Sequence, residues 1–90
     1  MPDADVLKIL KLDLQISVNS LDDYLLTIIQ AARNFIANEG ITLTDSISDM
    51  MLVEMYAAYL YRKRREENAV MPRMLRWNLN NRLLSEKGAL

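Results

Sequence analysis

Ninety residues suffice for one domain with a modest core, and 51% of them are hydrophobic against 26% charged, with two Gly and two Pro. That composition excludes a disordered chain. The absence of both Cys and His removes disulfides, thiol nucleophiles, the commonest general base and the commonest ligand of zinc and other transition metals.

The first element expected is a short helix, Asp3–Leu12, with Val6, Leu7, Ile9, Leu10 and Leu14 on its apolar side and Asp3 and Asp5 at the positive end of its dipole. Leu14–Val18 alternates weakly and reads as extended. Ser20 is the expected N-cap of a long helix running to Glu39. Asp22 and Asp23 lie in its first turn, and Ser20-x-x-Asp23 approximates a capping box. Leu21, Leu25, Ile28, Ile29, Ala32, Phe35 and Ile36 recur at helical spacing, and Gly40 closes the helix as a residue free to take positive φ.

Thr44, Asp45 or Ser46 caps the next helix, expected over Ile47–Glu67. Its stretch Met50–Tyr61 has a strongly polar side chain only at Glu54, so apolar residues cover about three quarters of the wheel at roughly 100° per residue. Such a helix calls for partners on nearly every side, and a second copy or a different protein is the expected cover. The segment Asn68–Met71 breaks it. Pro72 suits the first position of a last helix, with Leu75, Leu79 and Leu83 in a stripe and Trp77 and Leu84 beside it. The weak helix formers Asn78, Asn80 and Asn81 leave this segment loosely specified.

The fold class read from these elements is all-α: one domain over 1–90, a small bundle with two long antiparallel helices and shorter terminal ones, with 71–90 a flexible docking segment. No apolar run reaches the roughly 18–20 residues of a bilayer span, so no membrane partner is expected. The start MPDADVLK lacks the basic-then-apolar order of a signal peptide.

Charge is divided along the chain. Acidic residues dominate up to Asp49, and basic residues dominate from Arg62 onward. The division fits nucleic-acid binding, or an acidic half of one subunit facing the basic half of the next. Asp22 and Asp23 point about 100° apart on a helix and do not converge on one ion, so they read as helix-end electrostatics and no metal is expected. Arg62, Lys63, Arg64 and Arg65 read first as a solvated helix end and next as a phosphate grip. Tyr56, Tyr59 and Tyr61 beside them suit packing or a protein interface more than base stacking. The serines have no His, the lysines are scattered, and Gly40 and Gly88 stand alone, so neither a nucleophile–base pair nor a phosphate loop can be built. Neither catalysis nor a cofactor is expected.

Several pieces in order carry a family resemblance. They are Leu14-Gln15-Ile16, then Asp22-Asp23-Tyr24-Leu25-Leu26, Ile28-Ile29, Ala31-Ala32 and Phe35-Ile36 closed by Gly40. Leu52-Val53 and Ala58-Tyr59-Leu60-Tyr61 follow, then Arg64-Arg65-Glu66, Met71-Pro72-Arg73-Met74-Leu75 and Asn80-Asn81-Arg82. Over most of its length the chain resembles the small head–tail connector (head-completion, DNA-packaging) proteins of tailed bacteriophages and prophages. Leu21, ahead of the Asp pair, departs from the family's usual polar residue.

The resemblance implies an all-α subunit that assembles as a ring beneath the portal at the capsid vertex, offers a platform to the tail or the next connector, and surrounds DNA without sequence-specific binding. It implies a place in the virion, with the host cytoplasm as the site of assembly. It carries over Tyr59, Tyr61, Arg64 and Arg65 as interface candidates. With the charge division, the expected subunit interface joins Asp22, Asp23 and Asp45 to Tyr56, Tyr59, Tyr61, Arg62, Arg64 and Arg65. The expected portal-docking residues are Leu75, Trp77, Leu79, Arg82 and Leu83, the alternative being that Leu75, Leu79 and Leu83 close the protein's own core and only the last few residues fray. A small nucleic-acid-binding protein using the basic cluster, and a helical or antitoxin-like interaction module, are the competing functions.

Overall fold

A computed structural model describes residues 3–88, with side chains to residue 86. The first two residues, and the last two of the 71–90 segment, lie outside it. Among the described residues the chain is all-helical: α1 (Asp3–Asp13), α2 (Asp22–Asn38), α3 (Ile47–Arg65) and α4 (Arg73–Gly88), with no strand.

α3 is the helix around which the other three pack. Its face of Leu52, Val53, Tyr56, Ala57 and Ala58 is buried, against Val6 and Leu10 of α1, Leu25, Ile28, Ile29, Ala32 and Ile36 of α2, and Leu75 and Leu79 of α4, all in one cluster. The expectation that a second molecule must cover this helix is therefore corrected. Short connections let three helices of one chain surround a fourth, and only Ile47 and Met51 in its first turns are left as large exposed apolar residues of α3.

α1 ends in a tight reversal. Gln15 takes φ 58°, with Ile16 N–H donating to Lys11 C=O at 2.9 Å and Gln15 N–H to Leu12 C=O at 3.2 Å. This double bond pattern closes a helix around a left-handed residue. Leu14 and Gln15 accordingly form a turn, and residues 16–18 carry no regular secondary structure.

Ser20 does not cap α2. The N-cap position falls on Leu21 with no side-chain cap bond. Lys11 of α1 grips the preceding turn instead, donating to Asn19 Oδ1 at 2.8 Å and pairing with Asp22 at 2.8 Å. That grip draws the turn toward α1 and delays the helix.

Ser46 does cap α3, but the return bond goes elsewhere than in a capping box. Ser46 Oγ accepts from Asp49 N–H at 3.2 Å, while Asp49 Oδ2 accepts from Thr44 N–H at 2.6 Å and Thr44 Oγ1 at 2.8 Å, and the Ser46 N–H donates to Thr44 Oγ1 at 3.3 Å. Gly40 closes α2 as its sequence context predicts, at φ 106°. Pro72 sits just ahead of α4, its carbonyl accepting from Arg76 N–H at 3.1 Å.

Candidate functional site

Two surfaces bear on function: the C-terminal end of α3, and the two sides of α4. The end of α3 is built by cations lying on aromatic rings. The Arg65 guanidinium lies 4.4 Å from the Tyr61 ring centre and that of Arg64 5.8 Å from Tyr24 of α2. Lys63 donates to the Tyr59 hydroxyl at 3.2 Å, 5.6 Å from the ring centre, and so sits off the hydroxyl edge of that ring. The two arginine heads stay in water while the ring faces attract them, each by about 0.5–1 kcal/mol at an exposed site. Tyr24 and Tyr61 also meet at 6.4 Å, tilted by 59°.

These contacts place the expected interface residues. Arg62, Arg64, Arg65, Asp23 and Asp45 are exposed; Tyr59 and Tyr61 are partly buried. Tyr56 is buried in the protein's own core, stacked on Phe35 at 6.0 Å with 9° between planes and edge-on to Tyr59. It is not available to a neighbouring subunit. Asp22 is engaged by Lys11. Because Arg64 lies over Tyr24, the basic end of α3 adjoins the start of α2, where Asp22 and Asp23 sit. Charges far apart in sequence thus share one end of the fold. Asp45 lies at the opposite end of α3, whose 19 residues span about 28 Å.

α4 has an inward side tied to the bundle. Leu75 and Leu79 are fully buried and Leu83 partly so. Arg82 pairs with Asp49, which is 1% exposed, and donates to Thr42 C=O at 2.7 Å, while Glu86 accepts from Thr42 N–H at 2.9 Å. Arg76 pairs with Glu39 at 2.6 Å. Burial works to raise the Asp49 carboxyl's pKa, but the bonds from Arg82 and Thr44 outweigh it and hold the group below its ordinary 3.8.

Of the five expected docking residues, Leu75 and Leu79 therefore belong to the core and Arg82 is held by the ion pair. From Arg73 to Gly88 the segment expected to be flexible is a helix anchored at Glu39, Thr42 and Asp49. Three sequence-distant polar groups converge on that anchor, and nothing local foretells them. Trp77 does lie outside, with Met74 and Leu84.

A second buried carboxyl, Glu54, lies on α3 toward α1. It is 3% exposed, and one of its oxygens has no hydrogen-bond partner. Burial, a hydrogen bond to Asp13 and the Asp13 charge push its pKa up to about 8, against a smaller opposing effect of Arg62. The shift favours the protonated Glu54 carboxyl, whose contact with Asp13 joins α3 to α1. The sequence marked Glu54 only as an interruption in an apolar run.

Among the described residues no group of three or more acidic, His or Cys side chains could hold a metal, and no helix is long and apolar enough to cross a membrane. An open cleft of about 510 Å³ runs between the start of α3 and α4, past Ile47, Met51, Met55, Asn78 and Asn81. In comparisons with known proteins, no family model, curated protein or solved structure matches the chain.

Proposed function

We propose that the chain is a structural head–tail connector subunit of a tailed phage or prophage, assembling as a ring beneath the portal and joining capsid to tail around the DNA channel. The observation that carries the reading is the ordered run of motifs from Leu14 to Arg82. The all-helical fold is compatible with it. Two ring pairs, Tyr24 with Tyr61 and Phe35 with Tyr56, support an antiparallel course for α2 and α3, since the partner number falls as the α2 number rises.

A heterologous subunit contact would use the exposed Arg62, Arg64 and Arg65 at the end of α3, and such a contact closes into a ring when its rotation permits. The partners are then other copies of the chain, the portal, and the tail or the next connector. The site is the head–tail junction of the virion, after assembly in the host cytoplasm. Co-expression with the portal protein of the same genome tests this: electron microscopy should show an added ring of this chain on the portal. Portal particles without that ring would refute it.

The exposed arginines on tyrosine rings favour one second reading, a small nucleic-acid-binding protein. Its mark is duplex DNA binding that weakens steeply with salt and is lost in an Arg64→Glu/Arg65→Glu variant.

A further inference from the structure

α4 carries a second stripe, on the side away from the core. Met74, Trp77, Asn81 and Leu84 follow one another at intervals of three, four and three. All are exposed: Met74 and Trp77 at 62% and Leu84 at 68%. Labelled as a heptad, Met74 and Asn81 are a positions and Trp77 and Leu84 are d positions; Leu79, directly opposite at f, is fully buried. The helix is thus amphipathic twice over, and its outer spacing is that of a seam between two helices. Among the described residues the outward faces of α1 and α2 present mainly polar side chains and offer no matching stripe.

The charge of the flanks selects the occupant. The described flanks of the stripe, Arg73, Asn78, Asn80 and Ser85, contain cation and amide but no carboxylate, and the groove along it is lined by Arg73, Met74, Arg76, Trp77 and Asn80. A symmetrical α4–α4 pair would set these flanks against each other and bring no acid to either groove, whereas a helix with acidic flanks supplies it. The stripe is short, so the contact is a small one, below the roughly 800 Å² per partner of a standard interface.

We infer that the outer face of α4 docks an amphipathic helix of a different protein, one with apolar residues at heptad spacing and acidic residues on its flanks. The inference stands on the stripe and its flanks, whether or not the chain is a connector subunit. Asn81 at an a position sets the register of the docked helix at some cost in affinity.

Trp77 is the only tryptophan of the chain and reports directly. The probes are two side-chain-stapled three-heptad peptides with Leu at a and d, one with Glu and one with Lys at e and g. The Glu peptide should shift Trp77 emission to the blue and bind at least roughly tenfold tighter than the Lys peptide. The double variant Met74→Ser/Leu84→Ser, altered only at exposed positions, should lose the shift at unchanged helicity, and Asn81→Leu should tighten binding. No shift with either peptide, equal response to both, or a shift surviving in the double variant would overturn the inference. So would a dimer of the protein alone that the double variant splits, because the stripe would then be a self-interface.

Discussion

The inward and outward sides of α4 lie on the same 16 residues and differ in almost every physical respect. The inward side combines two fully buried leucines with an ion pair to a buried carboxylate and a two-way grip on the Thr42 peptide. The outward side carries Met74, Trp77 and Leu84 in water without an acidic neighbour on its flanks. The first has the features of a fold contact, since Arg82, Glu86 and the terminal nitrogen of Arg76 all find partners within the bundle. The second has apolar area and large side chains but no cover. Apolar content alone therefore does not separate core from docking surface; the partners of the polar residues between the leucines do.

The largest break expected in this contrast is Leu79→Ala, which leaves a cavity and costs about 2–5 kcal/mol in chemical denaturation. Arg82→Leu follows at about 3 kcal/mol, because the buried Asp49 loses its counter-charge. It should also remove part of the acid sensitivity. The folded pKa of Asp49 is depressed, so its stabilisation is present above the ordinary value of 3.8 and is lost as pH falls through the lower folded value.

Glu54 supplies the opposite arm, on the α1 side of the core. Its folded pKa is raised from 4.5 to about 8, so its contribution is fully present below 4.5 and is lost as pH rises through 8. Glu54→Gln should flatten the decline of the melting temperature between about pH 4.5 and 8 and leave the acid limb below it unchanged.

Gly40→Ala is smaller, about 1–2 kcal/mol: the strain is in the backbone at positive φ, since the added Cβ would meet Leu83 at an ordinary 3.5 Å. Trp77→Ala is the smallest, within about 0.5 kcal/mol, as for other exposed positions. If Trp77→Ala destabilised the monomer as much as Leu79→Ala, the contrast between the two sides would collapse.

Much of the fold was legible in the residue pattern. The helices follow from apolar spacing, and Gly40 was identifiable as a terminator because the backbone there needs a residue free of a Cβ penalty. What failed was decided by distant partners. Ser20-x-x-Asp23 and Ser46-x-x-Asp49 are nearly the same local chemistry; Lys11 grips the turn ahead of Asp22, while Thr44 and Arg82 complete the network at Asp49. The wide apolar surface of α3 was readable, but its cover by α1, α2 and α4 was not. Leu75 and Leu79 read equally as docking or core residues, because α4 has two apolar stripes and local spacing does not say which faces in. The charge division was real in sequence and partly undone in space, where Arg64 lies over Tyr24 beside Asp23.

The measurement that bears most directly on the proposed function is mass under native conditions, for the chain alone and mixed with the portal protein of its own genome. The connector reading predicts a single complex with several copies of this chain per portal ring, formed by the wild type and by Glu54→Gln alike. A chain that keeps its free mass beside the portal, while binding duplex DNA with a steep salt dependence, would contradict that reading and favour the nucleic-acid-binding one.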